Sequence, residues 1–249
     1  MFFKKQLMKL IKLDAIDSTN DFLKGISSLS ETVNFTVVTA EVQTKGKGQM
    51  GQKWESETGR NLIMSVLLKD VFKDINELFH LNIVFSLAVI DALNSYKVPE
   101  LSIKWPNDIM SYNKKIGGIL IENSIKSDGS IESIIGLGLN VNQTNFIDLP
   151  KATSLSLVCE VEFDRELLLQ LIVDTFKQKI VIWKENELLF WNDYSELLFK
   201  KGIPMPFADE KGLHFMGIIQ GVSAIGKLQV LLEDDAIAEF DIKEIQMLY

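Results

Sequence analysis

Three short segments concentrate the residue types that could hold or transform a charged small molecule. Gln43-Thr44-Lys45-Gly46-Lys47-Gly48-Gln49-Met50-Gly51-Gln52-Lys53-Trp54 sets three glycines among three lysines, contains no acid and ends on an indole. Glycine lets the backbone turn sharply and come close to a ligand. The lysines draw an anion to that bared backbone, and the indole offers a flat face to a ring. The segment reads as a cradle for a phosphate-bearing molecule. Lys104-Trp105-Pro106-Asn107-Asp108 gathers a lysine, an amide and an acid around a proline-fixed bend. Asn107 offers donors and an acceptor to a base edge or a ribose. Asp108 can orient a cation or take a proton. Lys115-Ile116-Gly117-Gly118-Ile119-Leu120 places a compact positive charge at the start of a strand. Its two glycines leave room for something to press against a sheet. Gly136-Leu137-Gly138-Leu139-Asn140-Val141-Asn142 alternates small and apolar residues, as a slot for an apolar ligand tail would.

The loop also fits a dinucleotide-binding fingerprint, Gly46-x-Gly48-x-x-Gly51, which requires a helix to open directly after it. The sequence from Gln52 to Arg60 has no helical periodicity, and Asn61-Leu62-Ile63-Met64-Ser65-Val66-Leu67-Leu68 reads as a buried strand. A P-loop is excluded because Gln52 stands where a lysine would have to follow Gly51. What remains is a strand–loop–strand cradle.

The elements that must position these groups are legible in outline. Residues 8–13 and 35–40 read as strands, and Ser18 with Asp21 is a capping-box-like helix start. Apolar residues at helical spacing predict a long buried helix over 75–96. Residues 101–105 read as a strand. Strands over 115–125 and 130–142 are joined through Ser127-Asp128-Gly129, a hairpin signal. Residues 164–199 are helical with a break near Asn186. After Lys200-Lys201-Gly202 the chain changes to short strands, 203–207, 214–222, 227–232 and 236–240, as in a small β-barrel. The reading is α+β with a mixed sheet, divided into residues 1–199 and 200–249.

With 249 residues, 47% hydrophobic and 24% charged, the composition is that of an ordinary globular chain. A net charge of −8 argues against a nucleic-acid surface covering the molecule. Cys159 is the only cysteine, which points to a reducing compartment and a core role. His80 and His214 are too few for a His/Cys metal site or a Ser-His-Asp hydrolase. No signal peptide is expected, and polar residues interrupt the longest apolar run, 78–93, so that no membrane span is expected.

In order and spacing, the basic Gly-rich loop ending in Lys53-Trp54, the Lys104-to-Asp108 segment, Lys115-x-Gly117-Gly118-Ile119-Leu120 and Gly136-x-Gly138-x-Asn140 resemble biotin–protein ligase. The resemblance covers about residues 10–195, and the remainder resembles that family's SH3-like C-terminal domain. It implies a catalytic fold like that of class II aminoacyl-tRNA synthetases, with biotin, ATP and Mg²⁺ as substrates and cofactor. It also implies a biotin carboxyl carrier domain as partner. By the same resemblance Ser18, Thr19, Asn20 and Gln43 hold the ureido end of biotin. Lys47, Gly48 and Gln49 fold over the carboxylate and adenylate. Lys115, beside Gly118, neutralises charge at the reacting atoms, and Trp54, Asn107 and Asn140 contact the adenosine. Asp108 accepts the proton of the incoming lysine. The Mg²⁺ ligands are not assigned. Lipoate–protein ligase is the nearest rival, and a non-catalytic biotin- or nucleotide-sensing module is the rival of another class.

Two departures from the family stand out. Lys47, Gln49 and Gln52 occupy positions where relatives often carry arginine, whose fork binds phosphate bidentately as lysine and glutamine cannot. Only seventeen residues precede Ser18, too few for the DNA-binding module of some relatives, so no DNA partner is expected. The expected location is the cytoplasm, and a homodimer is left open.

Overall fold

The computed structural model describes residues 8–72, 74 and 77–249. Twelve strands and five α-helices follow one another in these residues. The larger sheet has seven strands. They are β1 (Leu10–Ile16), β2 (Val37–Gln43), β3 (Leu62–Lys69), β4 (Leu101–Lys104), β5 (Asp108–Ser111), β6 (Lys114–Ile125) and β7 (Ile131–Leu139). Their spatial order is β1-β2-β3-β7-β6-β5-β4. Only β1 and β2 pair in parallel, so the sheet is mixed, as the sequence indicates.

Successive side chains of a strand point to opposite faces. In β3, Leu62, Met64, Val66 and Leu68 join the main core, while Leu67 joins a second, small cluster with Leu23 and Ile134. The main core is closed by α2 (Leu78–Ser95) and α4 (Arg165–Ile182), which pack on each other with Phe85 and Phe176 edge to face at 4.9 Å. The other face carries α1 (Thr19–Ile26). That second face is only partly covered, and the uncovered part is where a ligand can sit.

α2 has a mean hydropathy of 1.5 over 18 residues, so by length and composition it passes for a membrane span, contrary to the sequence reading. It is 72% buried, which is what a helix apolar on every side requires inside a core. Residues 75 and 76, expected at its start, lie outside the described residues. The helical break expected near Asn186 is present, as a short 3₁₀ turn (Trp183–Glu185) leading into α5 (Glu187–Glu196). Strand β1 runs further than expected, to Ile16. β5, α3 (Leu155–Cys159) and β12 (Ile245–Met247) have three to five residues each, too few for a hydrophobic period to show in sequence.

The C-terminal sheet is antiparallel, with β8 (Pro204–Asp209), β9 (His214–Val222), β10 (Leu228–Leu231), β11 (Ile237–Phe240) and β12 in the order β11-β10-β9-β8-β12. It docks directly on the larger unit. Trp105 Nε1 donates to Gly226 O at 2.8 Å, and Gly226, at φ +91°, lets Phe79 pack where any side chain would clash. Segment 197–199 covers the β4 edge, with Ile103 N donating to Leu197 O and Phe199 N to Ile103 O.

Tyr194 of α5 is fully buried with its ring edge-on to Phe79. Its hydroxyl has no partner among the described residues, and burial pushes its pKa well above the ordinary tyrosine range. An unsatisfied buried hydroxyl destabilises. Tyr194→Phe is expected to leave stability unchanged or raise it by up to about 2 kcal/mol in urea unfolding. A loss of more than about 1 kcal/mol would mean that the hydroxyl has a partner.

Candidate active site

A cavity of roughly 320 Å³ opens on the second face of the large sheet, between the start of α1, the glycine-rich loop and the β5–β6 edge. Its closed end is polar. Ser18 caps α1, accepting from Asp21 N at 3.3 Å, and Ser18, Thr19 and Asn20 are each buried. Thr19 donates twice to Gln43 Oε1, from its backbone N at 2.7 Å and its hydroxyl at 3.0 Å. Ser65 Oγ lies 2.6 Å from Asn20 Oδ1 and 2.7 Å from Thr19 Oγ1. Asn20 Nδ2 donates to Glu122 Oε2 at 2.7 Å. Gly136 is required here, because a Cβ would meet the Asn20 carboxamide at 2.6 Å. Ser65 and Glu122 were not singled out in sequence. A lone serine in the apolar run of β3 was the one available signal.

The floor of the cavity is the pair Gly118 and Gly138. Trp54 lies on Gly138, its buried Nε1 without a partner among the described residues, and Lys115 Nζ lies 5.7 Å from the ring centroid. The loop carrying Trp54 folds back as a hairpin, with Gly48 N donating to Gln52 O at 2.7 Å and Trp54 N to Gly46 O at 3.0 Å. Lys47 and Lys45 are gripped by the acids that bracket Ser18-Thr19-Asn20. Lys47 meets Asp21 at 2.7 Å and Lys45 meets Asp17 at 2.8 Å. The hydrogen bond that Lys47 donates to Asp21 raises the lysine's pKa, and those donated by Lys45 and Thr44 lower that of Asp17.

The open end is charged. Lys115 Nζ stands 2.6 Å from Asp108 Oδ1, and Lys104 Nζ 3.7 Å from Asp108 Oδ2. A bulge makes this possible. Gly118, Leu120 and Glu122 alternate onto the cavity face, so strict alternation would put Ile116 there and turn Lys115 away. The β5–β6 register skips Ile116, with Ile109 opposite Gly117 and Met110 opposite Lys115. Ile116 therefore enters the main core and Lys115 lines the cavity. Gly118 leaves space for the lysine, a Cβ there falling 3.2 Å from Nζ. The Trp105–Pro106 peptide is cis. Asn82 Nδ2 holds Pro106 O at 2.8 Å, and Asn107 Nδ2 holds Ile119 O at 2.6 Å.

Of the residues expected from sequence, Ser18, Thr19, Asn20, Gln43, Lys47, Gly48, Gln49, Trp54, Asn107, Asp108, Lys115 and Gly118 all line this one cavity. Asn140 does not. It is buried behind the sheet edge, donating to Thr153 O at 3.0 Å. Ile242 and Lys243 of the C-terminal unit also line the cavity, which sequence did not indicate. Cys159 lies outside that lining, and burial raises its pKa, as for a packing thiol. Among the described residues no group of three or more His, Cys, Asp or Glu could hold a metal ion. A polar closed end, a glycine floor and an open end with two lysines around one acid suit a molecule with a hydrogen-bonding head, an apolar tail and an anionic terminus.

The biotin/lipoate A/B protein ligase family model matches residues 13–140. The bifunctional ligase/repressor BirA of Bacillus subtilis is 33% identical over 194 residues, 75% of this chain and 59% of that protein. The biotin–[acetyl-CoA-carboxylase] ligase of Mycobacterium tuberculosis is 27% identical over 214 residues, 85% of this chain and 79% of that one. A solved structure, biotin protein ligase from Aquifex aeolicus in complex with biotin and ATP, superposes with a TM-score of 0.79 at 28% identity. That match covers 96% of this chain and 98% of the other. The chain thus spans about three-fifths of the Bacillus relative, and nearly all of the solved one.

Gly138→Ala tests the floor, because its Cβ would overlap the Trp54 ring. The variant is expected to change tryptophan emission while circular dichroism is kept, and the change is expected to vanish in a Trp54→Phe background. Unchanged emission would place the indole elsewhere.

Proposed function

The chain belongs to the biotin/lipoate A/B protein ligase family, and from that premise we propose that it is a biotin–protein ligase. The observation that carries the reading is the Lys115–Asp108 pair, 2.6 Å apart at the open end of a slot whose closed end is Ser18, Thr19, Asn20 and Gln43. Biotin enters with its ureido ring among those four residues and its valeryl tail over Gly118 and Gly138. Its carboxylate then arrives beside Lys115.

A carboxylate oxygen attacks the α-phosphorus of ATP, the bond to the bridging oxygen of the β-phosphate breaks, and pyrophosphate leaves with that electron pair. Lys115 neutralises the charge shared by carboxylate and α-phosphate, a pre-placed stabilisation of the kind that contributes most to catalysis. Lys47, Gly48 and Gln49 cover the resulting biotinyl-adenylate, with Asn107 and Trp54 toward the adenosine side. The amine of a carrier-domain lysine then attacks the acyl carbon. Asp108 takes its proton, and AMP departs. Mg²⁺ comes with the phosphates of ATP, where it offsets their charge. On this reading residues 1–199 are the catalytic domain and 200–249 the SH3-like domain. The carrier belongs to a biotin-dependent carboxylase, and the protein works in the cytoplasm.

The test is pyrophosphate release with biotin, Mg-ATP and a carrier domain, run in parallel with lipoate. Release with biotin and not lipoate is expected. Release with lipoate alone would assign the rival substrate, and none with either would leave a binding module. Lys47→Ala is expected to speed loss of labelled adenylate about three- to tenfold, as removal of one half-exposed charge-assisted contact should. Unchanged retention and unchanged biotin affinity would remove Lys47 from the site.

A further inference from the structure

Strand β7 ends at Leu139, opposite Gly117, so its ladder with β6 stops before Lys115 is reached. Buried backbone groups need partners, and a bulge leaves some without a ladder mate. Two pieces of chain supply them here. Asn140 carries the ladder one step further, its N donating to Ile116 O at 2.7 Å. Beyond it, segment 151–153 takes the place of β7. Lys115 N donates to Lys151 O at 2.8 Å, Thr153 N donates to Lys115 O at 2.9 Å, and Lys115 forms a parallel bridge with Ala152.

Even a complete two-stranded pair is marginal in water, so a piece this short must be held by something else. The side chain of Asn140 holds it. Its Nδ2 donates to Thr153 O at 3.0 Å, while its own carbonyl accepts from Leu155 N at 3.0 Å. One residue along, Ser154 Oγ donates to Gln143 O at 2.6 Å and continues the grip. Asn140 and Thr153 are 5% and 7% exposed, so water does not readily replace the bond between them. Asn140 does not line the cavity, and Lys115 does. The closed end is held by separate bonds among Thr19, Asn20, Gln43 and Ser65. A disturbance at Asn140 therefore reaches the backbone that projects the Lys115 ammonium and leaves the closed end in place.

We propose that Asn140 is a positioning residue. Acting through Thr153, it fixes the backbone of Lys115 and so the place of its ammonium beside Asp108 and the reacting carboxylate. This role replaces the adenosine contact expected for Asn140 from sequence. The proposal rests on the ligase reading given above, in which Lys115 serves adenylate formation.

Asn140→Ala is the informative variant, because it removes the Nδ2 donor and keeps both backbone bonds of residue 140. In single-turnover adenylate formation from biotin and Mg-ATP, its rate constant is expected to fall about ten- to hundredfold, the scale of a displaced catalytic group. Dissociation constants for biotin and ATP should stay within about twofold, because the carboxamide touches neither. In a Lys115→Ala background the same substitution should cost less than about twofold, as it must if it acts through that lysine. An equal loss in both backgrounds overturns the proposal, since a general structural role would give it. So does a rate within about twofold of the wild type, or a loss confined to ATP affinity, which would return Asn140 to the adenosine. If Asn140→Ala does not fold, Asn140→Ser, whose shorter side chain withdraws the donor, carries the same measurements. If the wild type forms no adenylate, the ligase reading itself fails, and amide hydrogen exchange decides the positioning separately. Faster exchange at the Lys115 and Thr153 amides of the variant, with the rest of β6 unchanged, supports it. Unchanged protection at both amides counts against it.

Discussion

The Lys115–Asp108 ion pair is the contact around which the site is arranged. Both groups are partly withdrawn from water, Asp108 with 16% of its side chain exposed and Lys115 with 34%. A withdrawn charge left without a partner is strongly unfavourable, so the surroundings must hold the two together. One extra residue, Ile116, turns Lys115 onto the cavity face while sinking its own side chain in the core. The backbone of Lys115 is pinned from outside the sheet, its N donating to Lys151 O and its O accepting from Thr153 N. Asn82, one of the polar residues on the largely apolar α2, grips Pro106 just ahead of Asp108. On the proposed reading, an arriving carboxylate and phosphate meet a lysine whose position is already set, so little reorganisation accompanies the chemistry.

The large sheet separates stability from binding. Its core face is filled by α2 and α4, and the strands contribute large apolar side chains to it. On the opposite face, β3, β6 and β7 present Ser65, Gly118, Leu120, Glu122, Gly136 and Gly138. Small and polar residues there leave volume and hydrogen bonds for a guest. The glycines are needed by contact, since Gly136 admits the Asn20 carboxamide and Gly138 admits the Trp54 ring. The C-terminal sheet is more than an appendage. Its Gly226 receives the Trp105 indole of the segment that carries Asp108, and its Lys243 reaches the cavity.

Much of this was legible in the sequence where a motif is local. The three clusters around residues 46, 106 and 117 do converge on one cavity, and the long apolar helix, the β6–β7 hairpin and the strand-rich C-terminus are present. The signals that failed were those whose meaning comes from a distant partner. Ser65 matters because Asn20, 45 residues away, lies against it. Asn82 looked like a polar interruption until Pro106 was seen beneath it. Lys243 is an ordinary turn lysine unless the cavity it borders is known. Trp54 was legible as a ring contact, and the alternating glycines as a slot, but their mutual contact was not. The bulge at Ile116 was invisible for a similar reason, because register belongs to a strand pair rather than to one strand.

On the proposed reading, Asp108 acts in the second half of the reaction while Lys115 serves the first. A single-turnover experiment with labelled biotin, Mg-ATP and a carrier domain separates the two in the near-isosteric Asp108→Asn variant. Formation of biotinyl-adenylate that accumulates, with transfer to the carrier slowed on the order of a hundredfold or more, is the predicted result for loss of a general base. Carrier modification at the wild-type rate would contradict it.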